Sequence, residues 1–202
     1  MSTTEAVVYI VDDEASVRRS LIRLMESVGL NAKAFATGDE FLRFRRPDTA
    51  ACLVLDVRMP GPSGLDVQQR LSADTGLPVI FVTGHGDVPM SVRAIKAGAA
   101  EFLTKPFNDQ ALLDAICVAL ERSRTARAKR EETRKIGKRL ALLTPRERQV
   151  FDLVVDGLLN KQIGARLGTS EKTVKVHRAR VMRKMGAWTI VDLVKMAERL
   201  SA

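Results

Sequence analysis

Over the first 120 residues, short aliphatic runs alternate five times with amphipathic stretches. The runs are Ala6 to Val11, Ala32 to Ala36, Cys52 to Leu55, Val79 to Val82 and Glu101 to Leu103. Each is followed by apolar positions at helical spacing: Glu14 to Val28, Gly38 to Arg45, Ser63 to Leu71, Pro89 to Ala97 and Asp109 to Leu120. Aliphatic runs without alternation suit strands covered on both faces, and strands that alternate with helices build a parallel sheet. The pattern therefore predicts an α/β doubly wound five-stranded parallel sheet. In such sheets the chemistry lies beyond the carboxyl ends of the strands. The polar residues that end the runs are then expected to converge: Asp12 and Asp13 after the first, Asp56 after the third, Thr83 after the fourth and Lys105 after the fifth.

The second part of the chain has a different period. From Glu121 to Arg139 the composition shifts to Arg, Lys, Glu and Ala, which predicts that the last helix continues as a solvated, charged linker. Its apolar positions (Ala126, Ala128, Ile136, Leu140) keep no sustained heptad, so no coiled coil is expected. Thr144-Pro145-Arg146-Glu147 is a capping box with proline at the first helical position, ahead of the amphipathic run Gln149 to Val155. Gly157 fits the end of that helix, Asn160 is placed as the cap of a second helix through Leu167, and Ser170 as the cap of a third after Gly168-Thr169. Two short helices joined by this turn make a helix-turn-helix. A fourth, about Ile190 to Leu200, completes an all-α four-helix domain. The organisation expected is residues 1–120, a linker over 121–139, and a helical domain over 140–202.

Charge sharpens this division. The net +9 is unevenly placed: residues 1–120 hold 12 basic and 15 acidic residues, a net of −3, and residues 121–202 hold 21 and 9, a net of +12. A basic half suits a polyanion such as DNA. Cys52 and Cys117 each lie in an apolar run and are expected to be buried, reduced thiols. No apolar run approaches the roughly 20 residues of a membrane span, and none resembles a signal peptide, so no membrane partner and a cytoplasmic location are expected.

The residues at the strand ends suit phosphoryl transfer. A carboxylate can take a phosphoryl group when something neutralises the charge on the transferring oxygens, and Mg²⁺ held by acidic neighbours does this. Asp12 and Asp13 would hold the ion, Asp56 would be the nucleophile, and the backbone carbonyl of Arg58 would complete an oxygen shell. Lys105 would bring a compact positive charge to the phosphoryl oxygens, and the Thr83 hydroxyl would donate a hydrogen bond. A phosphatase with an aspartate nucleophile is the enzyme alternative, but it wants a second carboxylate two residues on, where this chain has Arg58.

These motifs carry a resemblance. The acidic pair, Leu55-Asp56-Val57-Arg58-Met59-Pro60-Gly61, Thr83 and Lys105-Pro106-Phe107 resemble the receiver domain of two-component signalling. Leu143-Thr144-Pro145-Arg146-Glu147, Gly157 to Gly164 and Thr173-Val174-Lys175-Val176-His177 resemble the LuxR-type helix-turn-helix. Together they are similar to response regulators of the FixJ/NarL family, especially its nitrogen-fixation and styrene-catabolism members. The resemblance implies a cis Lys105-Pro106 bond, Phe102 as the switch aromatic acting with Thr83, and phosphorylation by a sensor histidine kinase. It further implies a homodimer formed through the receiver, promoter half-sites as the DNA target, an activator that can meet RNA polymerase, and no turnover beyond slow hydrolysis of its own aspartyl phosphate. His85, between two glycines after Thr83, is read as an ordinary loop residue.

At about 100° per residue, Val174, Val181 and Met185 share one face of the third helix, with Lys172, Lys175, Val176, Ala179 and Arg183 roughly opposite. The second face is the one to lay in a major groove. Lys175 can donate to guanine edges and Val176 can touch a thymine methyl. Family base contacts fall on these two and on Ala179, which carries no donor. Lys172, Arg180 and Arg183, with Lys161 and Thr173, are placed on phosphates. Arg178, near the apolar face, is expected either to point its guanidinium outward or to reach phosphate. The competing reading is a DNA-binding regulator controlled by a partner or ligand without phosphorylation.

Overall fold

The computed structural model describes residues 6–71, 76–84 and 88–201. The chain divides into two compact units, residues 1–127 and 128–202. In the first, β1 (Val7–Val11), β2 (Asn31–Phe35), β3 (Ala51–Leu55), β4 (Val79–Thr83) and β5 (Glu101–Thr104) form one sheet in the order β2-β1-β3-β4-β5, every pair parallel. Between them lie α1 (Ala15–Ser27), α2 (Gly38–Arg43), α3 (Gly64–Arg70) and α4 (Val88–Lys96), and α5 (Asp109–Leu140) follows.

Strand burial explains the aliphatic runs. All residues of the inner strands β3 and β4 are buried, whereas the edge strands β2 and β5 are only partly covered. One face of the sheet packs Val8, Ile10, Cys52, Val54, Ile80 and Val82 against Leu21, Met25, Leu112 and Ile116. The other packs Tyr9, Val11, Leu53, Leu55 and Phe81 against Phe41, Val67 and Ala94. Alternate side chains thus enter separate cores, and each must be apolar. The strand order reverses direction between β1 and β3, and ligand crevices of open α/β sheets open at such a switch point.

Cys52 is buried, and that burial pushes its thiol up to about 12, but Cys117 is exposed. The buried stripe of α5 runs through Leu112, Ile116, Ala119 and Leu120, so position 117 turns away from the core despite its apolar neighbours. Residues 121–139 lie within α5 and are not solvated throughout. Ser123 is buried and its hydroxyl accepts the Ala51 N–H at 3.1 Å, and Arg127 pairs with Asp48 at 3.0 Å. Ile136 is likewise buried, in the core of the second unit with Val150, Phe151 and Val174.

The second unit contains α6 (Pro145–Val155), α7 (Asn160–Leu167), α8 (Glu171–Met185) and α9 (Ile190–Ser201). Its core joins Val150, Val154, Ile163, Val174, Val181, Met185 and Leu193. The capping box forms: the Thr144 hydroxyl accepts the Glu147 N–H, and Glu147 accepts the Thr144 N–H at 2.9 Å. The Ser170 hydroxyl accepts the Thr173 N–H. Asn160, however, is the first residue of α7 and not its cap. Leu159 occupies the cap position, and its N–H donates to the Gln162 side chain at 2.8 Å. No helix among the described residues is long and apolar enough to cross a membrane.

Glu147 also accepts a 2.6 Å hydrogen bond from the Lys184 ammonium on α8. That bond and the Thr144 N–H hold its carboxyl down at about 2. A carboxyl lowered by folding stabilises the fold above its unfolded value, near 4.5, and that contribution is lost as pH falls toward 2. Lys184→Met is therefore expected to move acid unfolding of the helical unit to higher pH, followed by circular dichroism between pH 2 and 6. An unchanged acid transition would contradict the role given to this pair.

Candidate functional site

Asp12 and Asp56 directly follow β1 and β3, the two strands at the switch point. The Asp56 N–H donates to the Val11 carbonyl at 2.9 Å, which holds the two strand ends together. Both carboxylates are nearly out of water, at 2% and 6% exposure, whereas Asp13 is exposed. Asp12, Asp13 and Asp56 each offer a carboxylate oxygen, and these atoms lie within 4.8 Å of one another. Three hard anionic oxygens in that space fit Mg²⁺ better than a softer, nitrogen- or sulfur-preferring metal. The Arg58 side chain is exposed, and its backbone N–H donates to Asp56 Oδ1 at 3.1 Å.

Lys105 follows β5 after Thr104, and its peptide bond to Pro106 is cis. Its ammonium donates to Asp12 Oδ2 at 2.7 Å and to Asp56 Oδ2 at 3.2 Å. The two partners respond differently to burial. For Asp12, burial pushes the carboxyl up and outweighs the Lys105 and Glu14 hydrogen bonds that pull it down. For Lys105, burial pulls the ammonium down, but the bond to Asp12 and the two negative charges outweigh this and raise it. The asymmetry follows from exposure: the lysine side chain keeps 18% of its surface in water, and the Asp12 side chain 3%. Asp12 is thus a carboxylate whose charge one ammonium does not fully compensate.

Backbone contacts fix the loops that carry these groups. The Arg18 guanidinium of α1 donates to the carbonyls of both Asp12 and Asp13, at 2.7 and 2.8 Å. The sequence reading missed Arg18, since an arginine on an amphipathic helix looks like a solvated charge. Gly64, at the start of α3, leaves room for the Asp56 loop: a Cβ there would lie 2.3 Å from the Asp56 carbonyl oxygen. Thr83 ends β4 and is buried, and its carbonyl accepts the Lys105 N–H at 2.8 Å. Phe102 on β5 is half-buried, its ring centroid 6.1 Å from that of Phe81. Thr83 and Phe102 therefore sit on neighbouring strands, beside α4. His85 lies outside the described residues.

The second candidate surface belongs to α7 and α8. Gly164 permits their close approach, since a Cβ there would lie 2.8 Å from the Thr169 carbonyl oxygen in the turn. Val174, Val181 and Met185 are fully buried, and Lys172, Lys175, Val176, Ala179, Arg180 and Arg183 are exposed, as is Lys161 on α7. Thr173 is half-buried, its hydroxyl 2.9 Å from that of Ser170. Lys175 pairs with Glu171 at 3.2 Å, an exposed i,i+4 contact of about 0.3–0.5 kcal/mol that a ligand can displace.

Arg178 departs from both expectations. It is half-buried, and its guanidinium donates to Asn160 Oδ1 at 2.9 Å, tying α8 to the first residue of α7. The partners are 18 residues apart and leave no periodic trace in the sequence.

Residues 8–117 match the family described as the response regulator receiver domain, and residues 141–197 match the luxR family of bacterial regulatory proteins. The chain is 49% identical over 200 residues to nodulation protein W of Bradyrhizobium diazoefficiens, covering 98% of this chain and 88% of that protein. It is 46% identical over 191 residues to the transcriptional regulatory protein FixJ of Azorhizobium caulinodans, covering 94% and 90%. The solved structure of the response regulator StyR superposes with a TM-score of 0.84 at 46% identity, over 96% of this chain and 99% of that one.

Proposed function

Since this chain belongs to the response regulators that join a receiver domain to a luxR-type DNA-binding domain, and is a two-component transcriptional regulator, we propose that Asp56 is its phosphoacceptor and that phosphorylation controls its hold on DNA. The observation that carries this reading is the buried Asp56 carboxylate, hydrogen-bonded to Lys105 and within reach of Asp12 and Asp13. An Asp56 oxygen attacks the phosphorus of a phosphohistidine on a sensor kinase. The O–P bond forms as the P–N bond breaks, and the histidine nitrogen keeps the electron pair. Asp12, Asp13, Asp56 and the Arg58 carbonyl would hold Mg²⁺, which when bound supplies charge neutralisation for the oxygens in transfer. The Lys105 ammonium, already between Asp12 and Asp56, pairs with a phosphoryl oxygen, and Thr83 donates its hydroxyl to another.

Phosphate biases two conformations only if it binds one of them better. Thr83 moves toward it, Phe102 turns inward, and the α4–β5 face pairs with a second receiver. What supports that surface is a stripe on α4: Val88, Val92 and Ile95, four and three residues apart, are exposed apolar side chains. Two DNA-binding units then meet two promoter half-sites, in the cytoplasm, as an activator that can touch RNA polymerase. The only turnover is slow hydrolysis of the protein's own aspartyl phosphate. An Asp56→Ala chain is expected to lose signal-dependent promoter activity. Full activity in that variant would favour a regulator that works without phosphate.

On DNA, Lys175, Val176 and Ala179 face base edges, and Lys161, Lys172, Thr173, Arg180 and Arg183 face phosphates. Lys175→Ala is expected to change sequence preference at about 1–3 kcal/mol per base pair read. Arg183→Ala is expected to weaken all duplexes alike and to lower the salt slope by about 1. Equal losses from both variants on matched and mismatched duplexes would refute this division.

A further inference from the structure

His177 has no part in the assignments above, although it stands in the middle of α8. Measured around the helix from the buried stripe of Val174, Val181 and Met185, it falls about 60° to one side. Lys184, Thr173 and Arg180 follow in that order on the same flank, before the exposed face of Lys172, Val176 and Arg183. The ring is half-buried. Its Nδ1 is buried and has no hydrogen-bond partner. Nε2 also has no partner among the described residues but is not buried, so it is the nitrogen open to solvent.

The two edges therefore have different chemistry. An N–H at Nδ1 would bury a donor with nothing to accept it, the more costly way to leave a ring nitrogen unsatisfied. The proton belongs on Nε2, the nitrogen that is not buried. Flanks of a recognition helix meet the sugar-phosphate walls of the groove, where neutral donors fix register and add no counterion release. The geometry points to His177 as a DNA-backbone contact of one defined kind, its Nε2–H donating to a phosphate oxygen beside those taken by Thr173 and Arg180, as a hydrogen-bond donor and not as a charge. This rests on α8 being the helix that enters the groove.

The test uses the full chain and a duplex enriched from a random pool by the unaltered protein, with affinity followed across a salt series. His177→Phe keeps the ring in its packing and removes the donor. It is expected to weaken binding by roughly three- to tenfold, the range for one net hydrogen bond, with the salt slope unchanged. His177→Gln, whose amide can present an N–H near the Nε2 position, is expected to recover most of that loss. Arg183→Ala serves as the reference and lowers the slope by about 1. Unaltered binding by His177→Phe beside a weakened Arg183→Ala would overturn the inference and leave the DNA surface standing. So would a slope that falls by one in His177→Phe, which would mean a charged contact, or equal losses from Phe and Gln in chains that melt like the parent. No effect from Arg183→Ala either would instead overturn the reading of α8 itself.

Discussion

In millimolar Mg²⁺ the receiver unit is expected to melt several degrees higher than in its absence, and Asp12→Asn is expected to abolish the difference. Asp12 is almost wholly buried and its carboxyl is raised, because burial outweighs what Lys105 returns. Asp13 and Asp56 add two more acidic oxygens within 4.8 Å. A divalent ion that binds only the folded arrangement stabilises it by mass action. At ten times its dissociation constant that is about 1.4 kcal/mol, or roughly 5 °C for a unit of this size. Asn at position 12 removes one charge from the cluster, so the variant is also expected to melt above the parent in metal-free buffer. Differential scanning calorimetry of both chains, with and without the ion, gives the answer. A Mg²⁺ shift that survives Asp12→Asn would mean that the ion sits elsewhere.

Gly64→Ala is expected to be the most damaging single methyl in the receiver. The added Cβ would lie 2.3 Å from the Asp56 carbonyl oxygen and 3.0 Å from Val57 Cα, and neither neighbour is the end of a flexible side chain. The backbone must move instead, at a cost of about 3 kcal/mol, the upper part of the usual range for overpacking. What moves is the loop that aims the Asp56 carboxylate. The variant is therefore expected to lose phosphorylation by a small phosphodonor as well as stability, while its DNA-binding unit keeps its own melting transition. A Gly64→Ala chain that melts and phosphorylates like the parent would show that the loop can yield where the packing says it cannot.

The fold was readable where burial leaves a period. Continuous aliphatic runs marked the strands because β3 and β4 are covered on both faces, and the polar residues ending those runs marked the acidic site because strand ends in a parallel sheet point one way. The capping box of α6 was readable for a similar reason, since Thr144 and Glu147 satisfy each other within one turn. What was not readable comes from contacts between distant residues. Arg178 meets Asn160 and Lys184 meets Glu147, linking α7 and α6 to α8. Neither pair has a spacing that a helical pattern would reveal. Cys117 failed differently: its neighbours are apolar, but one position around the helix decides whether a side chain meets the core or the solvent. The burial of Ile136 leaves no pattern either, since one buried residue in a highly charged run is visible only through its partners in the second unit.

Phosphorylation of Asp56 is expected to drive assembly through the receiver. The most direct measurement is sedimentation velocity of the 22.3 kDa chain in Mg²⁺, with and without beryllium fluoride as a mimic of the aspartyl phosphate. The predicted result is a monomer that becomes a dimer on adding the fluoride, and an Asp56→Ala chain that stays monomeric under the same conditions. A chain that binds the fluoride and remains monomeric, or an Asp56→Ala chain that dimerises all the same, would contradict it.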